Sequence, residues 1–305
     1  MSAVTIRDLP PGIVAAEVLP DVLPPARRRG RVAGALHRHP LVIVGGALLL
    51  AMLGIAVLAP WLGTVDPTQL APVRRLRPPS AEAFFGTDML GRDVYSRTLY
   101  GARVSLLVGF AVAALSAVFG VLIGTVSGFV RWLDPVIMRV MDGLMSIPSI
   151  LLAVALTALT RGSALVVIVA ITIAETPRVA RLVRGLVLGL RDQPYVEAAV
   201  TCGTPLPQLI GRHVLPNILA PLSVQATYVC ASAMITEAIL SFIGAGTPPT
   251  IPSWGNIMAE GRALWQVKPY LVFIPAAFLS VTVLAVQLLG DGLRDALDPR
   301  AAGRL

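Results

Sequence analysis

Lysine is almost missing from this chain. Of 25 basic residues in 305, only Lys268 is a lysine, and Pro269 follows it. A P-loop needs its lysine in a GK[ST] context to reach the β- and γ-phosphates of a nucleotide. The chain has no P-loop, so any nucleotide that drives it is bound by another chain, and no enzymatic activity is expected here. Cysteine is scarce too. Cys202 lies in a polar stretch and Cys230 in an apolar run, with no CxxC, which supports neither a disulfide framework nor a zinc site. His37, His39 and His213 form no HExxH and no His–Asp–Ser set, and no GxSxG occurs. Metal and hydrolytic chemistry are therefore not expected, nor is a cofactor.

Charge is low as well, at 14% of residues against about 25% in a soluble domain. The net charge of +8 is spread over short connectors, and aromatics reach only 6%. That distribution follows the positive-inside rule and argues against a nucleic-acid interface.

Apolar sequence fills the rest: 55% of residues are hydrophobic and the mean hydropathy is +0.77. Residues 1–38 are rich in Pro and Arg and predict a tail without a core. The domain at 39–305 carries apolar runs at about 41–62, 104–128, 143–160, 163–177, 216–243 and 270–290. At 1.5 Å per residue a run of about 20 crosses a bilayer, so the expectation is an all-α, polytopic membrane protein with six spans. The first run starts too late and is too long for a cleaved signal peptide. With the N-terminus inside, 16 of the 25 basic residues fall on the inner side and 9 on the outer. The bias predicts cytoplasmic termini, although the outer connector at 63–103 is itself basic.

The longest inner connector, 178–215, contains "EAAVTCGTPLPQLIGRHVLPN" from Glu197 to Asn217. Arg178, Arg181 and Arg184 recur every three residues, so one helical face leaves the membrane basic. A turn at Asp192-Gln193-Pro194 then leads into a short helix from about Tyr195 to Cys202. Gly203 ends it, because glycine enters the left-handed region at little cost. Pro205 can sit in the first turn of a second short helix, and Leu215-Pro216 opens the fifth span. Ala198 and Ala199 leave an uncrowded surface. On the residues alone this is either a solvated connector or a docking surface.

Other polar residues have plainer readings. Glu237, near the outer end of the fifth span, either lines a translocation route or gate or is an interfacial carboxylate bonded to backbone. Glu175 is placed to pair with Arg178 one turn on. Asp88, Arg92 and Asp93 suggest capping of an interfacial amphipathic helix, with Val94, Tyr95, Thr98 and Leu99 facing lipid, over any catalytic pair. Trp254 and Trp265, in the outer segment 245–268, suit an interfacial anchor or a docking surface.

Glu-Ala-Ala, three residues, Gly and a later Leu-Pro resembles the EAA loop of permease subunits of bacterial ABC importers. The matching positions are Glu197, Ala198, Ala199, Gly203, Leu215 and Pro216. Where the family pattern has an isoleucine ten residues after the glycine, this chain has His213, yet "RHVLPN" is similar to the peptide and nickel branch. "FGTDMLGRDVYSRTLYGARVSLLVG" (85–109), "EAILSFIGAGTPPTIPSWGNIM" (237–258) and "GDGLRDALDPR" (290–300) resemble further signatures of that branch's second, dipeptide-permease-C-like subunit. Thr176 departs from the tryptophan common there. The resemblance implies a type I ABC importer permease (MetI-like) fold. Its expected partners are a second homologous permease, two cytoplasmic ATPases and an extracytoplasmic binding protein. It implies residence in the bacterial inner membrane, and a substrate among di- and oligopeptides, nickel complexes, glutathione and related compounds. The EAA loop would dock on an ATPase and carry its closure to the fifth span. The alternative is an ion-coupled secondary transporter working without an ATPase, for which Glu237 is the candidate intramembrane acid.

Overall fold

The computed structural model describes residues 40–159 and 163–297, so the tail expected over 1–38 lies outside the described residues. Ten α-helices follow in order: α1 (Pro40–Leu58), α2 (Val94–Phe129), α3 (Asp134–Ser146), α4 (Ser149–Leu159), α5 (Ala164–Arg191), α6 (Pro194–Thr201), α7 (Leu206–Leu209), α8 (Leu215–Phe242), α9 (Trp254–Gly261) and α10 (Tyr270–Leu297). No strand occurs among the described residues, only two isolated bridges in the connector between α1 and α2. Side-chain caps set several starts. Asp93 accepts from the Ser96 amide at 2.8 Å to open α2, and Ser253 accepts from the Asn256 amide at 3.2 Å to open α9. Pro177, Pro221 and Pro275 lie inside α5, α8 and α10 without ending them.

Four helical runs are long and apolar enough to cross a membrane: Pro40–Trp61, Val94–Phe129, Leu206–Phe242 and Tyr270–Ala296. The pair α3 and α4, bent by 83° at Ile147-Pro148, makes a fifth if it is one broken span. The run expected at 143–160 straddles that bend. The run expected at 163–177 is the first half of α5, which continues through Pro177 as one 28-residue rod. At about 42 Å that rod is long enough to span. Glu175, Arg178 and Arg181 interrupt its apolar window, so length and composition alone do not reach the count of six.

The core is where α2, α5 and α8 meet, filled by Val108, Val112, Ile171, Val183, Met234 and Leu240. Gly120, Gly124 and Gly128, four residues apart, let α2 lie directly on α5. A Cβ on Gly120 would come within 2.4 Å of Val179 Cγ1, and one on Gly124 within 2.5 Å of the Ala180 carbonyl. Without a hydrophobic drive between helices in lipid, such close approach is a main source of association. The opposite faces carry exposed Leu50, Leu107, Leu122 and Phe273. Apolar exposure on that scale belongs against lipid or another chain.

The interfacial helix expected at the end of 63–103 is not a separate element. It is the first turn of α2, and Val94, Thr98 and Leu99, expected to face lipid, are buried in protein. Trp254 is likewise no interfacial anchor: it is wholly buried and its Nε1 donates to the Thr98 carbonyl at 3.0 Å. Trp265 is exposed, as an anchor requires.

Candidate functional site

The segment from Arg191 to Asn217 is a compact platform at one end of the bundle. Two residues, Asp192 and Gln193, join the long rod α5 to α6. Pro194 opens α6, where its missing N–H costs nothing, and Glu197 lies in the first turn, where the helix dipole favours an acid. A Schellman motif closes α6. The Thr204 amide donates to the Ala199 carbonyl at 3.1 Å and the Gly203 amide to the Val200 carbonyl at 2.9 Å. Gly203 has φ +77, as that motif requires, and nothing lies within 4 Å of the position of a Cβ there. The constraint at Gly203 is conformational, not steric. Pro205 is the N-cap of α7, one position before its first turn.

The faces of α6 divide cleanly. Val196 is buried, whereas Tyr195, Glu197, Ala198, Val200 and Thr201 are exposed and Ala199 is half-buried. The Glu197 carboxylate has no hydrogen-bond or ion-pair partner among the described residues. Between α6, α7 and the ends of α2 and α5 opens a cleft of 540 Å³ lined by Phe129, Arg191, Val196, Glu197, Leu206 and Leu209.

Three contacts tie this platform to the spans. Asn217 Nδ2 donates to the His213 carbonyl at 2.6 Å and to the Tyr195 hydroxyl at 3.3 Å, and the Tyr195 and His213 rings lie 6.4 Å apart. These link α6 to the foot of α8, where Leu215 and Pro216 begin the helix. A π-turn at Ile210–Val214 joins α7 to α8, so Leu206–Phe242 is one helical run. Such turns mark functional sites more often than chance. Arg191 Nη1 donates to the Gly128 carbonyl at 3.1 Å and so fastens the end of α5 to the end of α2. The six residues Glu197, Ala198, Ala199, Gly203, Leu215 and Pro216 therefore share one platform. Sequence reasoning missed Tyr195, Asn217 and Arg191 as its fasteners; nothing in their local pattern signals a partner 22 or 63 residues away.

Glu237 is elsewhere. It is wholly buried, and its carboxylate accepts from Ser241 Oγ at 2.8 Å and Ser105 Oγ at 3.5 Å. Ser241 Oγ in turn lies 3.2 Å from Thr247 Oγ1, to which Asn256 Nδ2 donates at 3.0 Å. Its partners are side-chain hydroxyls, not the backbone, and it lies on no open surface of this chain. Glu175 does pair with Arg178, at 3.2 Å, and also accepts from Ser232 Oγ at 3.3 Å.

With this geometry in hand, similarity to known proteins is informative. Residues 116–303 match the family described as binding-protein-dependent transport system inner membrane component, and residues 30–79 match the N-terminal TM domain of oligopeptide transport permease C. A protein of Sinorhizobium fredii named probable peptide ABC transporter permease is 55% identical over 88% of this chain and 91% of its own length. The dipeptide transport system permease of Alkalihalophilus pseudofirmus is 40% identical over 87% and 88%. A chain from an inward-facing structure of the MetNI methionine ABC transporter aligns with 64% of this chain and 95% of its own, at 20% identity and a TM-score of 0.48. The chain belongs to the inner-membrane permease family of binding-protein-dependent ABC importers.

Proposed function

We propose that this permease imports peptides, di- or oligopeptides in the first instance, and that α6 is the lever through which ATP hydrolysis on a partner chain drives it. The observation that carries the reading is α6 itself: a short helix with an exposed Glu197–Ala198 face, locked at one end by the Schellman turn and tied at the other to α5 and α8. A solvated connector needs none of those fasteners. The names of the relatives, which are peptide permeases, support the substrate class.

On this reading the chain pairs with a second, homologous permease, two cytoplasmic ATPases and an extracytoplasmic binding protein. Both termini and α6 face the cytoplasm. Closure of the ATPases shifts α6, and the displacement reaches α8 through Tyr195, His213 and Asn217 and reaches α5 through the two-residue link. Packed helices are bistable rather than freely deformable, so a small shift is converted into alternate access. Glu237 holds the outer segment 244–256 onto α8 and α2 through its hydroxyl chain.

The test is purification of the tagged chain from its native membrane in mild detergent, with masses and stoichiometry of what accompanies it. A second permease and P-loop ATPases are expected, with uptake of a labelled dipeptide lost on ATP depletion. A lone chain that transports after ATP depletion and stops with a proton uncoupler would return the alternative, ion-coupled reading.

A further inference from the structure

Outside the platform, the described residues hold one other segment whose construction exceeds what joining two helices requires. The connector between α1 and α2 is irregular, yet tightly fixed. Asp88 is buried between Arg92, at 2.7 Å, and Arg97, at 2.5 Å, and both arginines reach across to Glu260 of α9. The Thr87 hydroxyl donates to the Arg74 carbonyl and accepts from the Arg77 amide at 2.8 Å. The Tyr270 hydroxyl donates to the Arg77 carbonyl at 3.0 Å, and the Leu76 amide to the Asp88 carbonyl at 3.1 Å. Between these clamps Leu76 sits at φ +54, the sole non-glycine residue in the left-handed region among those described. Such strain persists only where its surroundings over-determine it, and it concentrates at functional sites.

What the clamps present is a ridge. Arg74, Arg75 and Arg77 are all exposed, and none of their guanidiniums has a hydrogen-bond or ion-pair partner among the described residues. Val73 beside them is 89% exposed and Leu70 61% exposed, and Phe84 stands exposed nearby. The acids of the same connector are largely committed: Asp88 to the cluster, Asp93 to the α2 cap, and Asp66 to the Thr68 hydroxyl and amide, which leaves Glu82. Three free arginines on the outer side also run against the positive-inside bias of the rest of the chain.

We propose that the ridge Val73–Arg77 is a docking surface for an acidic face of the extracytoplasmic binding protein. The inference rests on the importer reading and on the orientation that goes with it. Charge complementarity names the partner's chemistry: three unpaired guanidiniums around exposed aliphatic side chains fit carboxylates flanking an apolar patch. Rigidity selects a protein over lipid headgroups. Anionic lipid is held by flexible polybasic segments and needs no fixed geometry, whereas a strained, clamped backbone removes ordering cost from a specific protein contact.

The experiment uses the whole complex in nanodiscs and, as probe, the binding protein that stimulates its ATPase. Association rates are measured against ionic strength for the wild type, for Arg74→Glu/Arg75→Glu/Arg77→Glu and for the milder Arg→Gln triple. Electrostatic steering changes association rates by about 10- to 1000-fold. The expected result is an on-rate about tenfold lower or more in the reversal variant, a smaller fall in the glutamine variant and loss of most of the salt dependence, with subunit composition unchanged. An unchanged on-rate and salt slope overturns the proposal. So does loss of the second permease from either variant, which would make the ridge a permease–permease contact. So does an on-rate effect seen with phosphatidylglycerol nanodiscs and absent with purely zwitterionic ones, which would make it a lipid site. If the wild-type complex contains no ATPase, the importer reading itself fails. If it is assembled and stimulated but indifferent to the ridge, this inference alone fails.

Discussion

Arg184 of α5 meets Asp134 of α3 with two parallel hydrogen bonds, Nε to Oδ1 at 2.5 Å and Nη2 to Oδ2 at 2.6 Å. Ser127 of α2 donates to the same carboxylate, and one turn away Arg181 pairs with Asp142 at 2.5 Å. The rod that carries α6 is thereby bound to the first half of the bent pair α3–α4. The pair is partly exposed, so solvent screens it, but bidentate geometry lifts it above an ordinary surface ion pair.

A double-mutant cycle on Arg184→Ala and Asp134→Ala is expected to give a coupling of about 1 kcal/mol in thermal unfolding of the detergent-solubilised chain. The swap Arg184→Asp/Asp134→Arg should recover transport that either single reversal lowers. Additive single mutants would show that the two bonds contribute nothing beyond packing.

Gly203→Val places a β-branched residue at φ +77, a penalty of about 1–2 kcal/mol in the turn that closes α6. Since no atom crowds that site, Gly203→Asn, which tolerates the left-handed region, should behave far better. The expected outcome is normal membrane insertion for both variants. Transport and ATPase coupling are lost in the first and largely kept in the second. Equal loss in both would point to a steric role that the structure does not contain.

Gly124→Val drives a side chain into the Ala180 carbonyl and Val183. Overpacking of this kind costs about 1–3 kcal/mol. The melting temperature of the solubilised chain should drop by several degrees, whereas Gly185→Ala, with open space around it, should leave it unchanged or raised.

Glu237→Gln keeps a carbonyl acceptor for the Ser241 hydroxyl and sets an NH2 donor against the Ser105 hydroxyl, which can accept, so near-normal transport is expected. Glu237→Leu strands the buried Ser105 hydroxyl, at about 1–3 kcal/mol, and leaves the Ser241 hydroxyl with Thr247 alone; it should loosen the segment before α9, read as faster proteolysis near Thr247. Abolition of transport by the glutamine variant would instead favour a proton-carrying role for the carboxyl.

Much of the platform is legible in the sequence because its determinants are local. Gly203 must adopt a left-handed turn, and the turn at Asp192-Gln193-Pro194 hands the chain to a short helix. Most spans are legible for the same reason, apart from the run at 143–160, which straddles the 83° bend between α3 and α4, and the run that stops at Pro177. Pro177 reads as the end of a run, yet α5 passes through it, because a proline costs a membrane helix little where neighbouring helices satisfy the freed carbonyl. The connector between α1 and α2 and the start of α9 are less legible because their determinants are distant. Arg92 and Arg97 find Glu260 across 168 and 163 residues. Trp254, amphipathic by composition, is packed in the core beside Gly101, with the Thr98 carbonyl accepting its indole N–H. No local pattern reports such pairings. The surroundings of Glu237 are illegible for the same reason, since Ser105 comes from α2 and Thr247 from the loop before α9.

The central claim, that α6 seats on an ATPase, can be measured at Cys202. This thiol is exposed at the end of α6, and Cys230 is buried, so a maleimide photo-cross-linker can be directed to one site without mutation. In the purified complex, irradiation is expected to join Cys202 to the ATPase chain, with a yield that differs between the nucleotide-free and ATP-trapped states. A complex that contains ATPases but gives no such cross-link in either state would contradict the account.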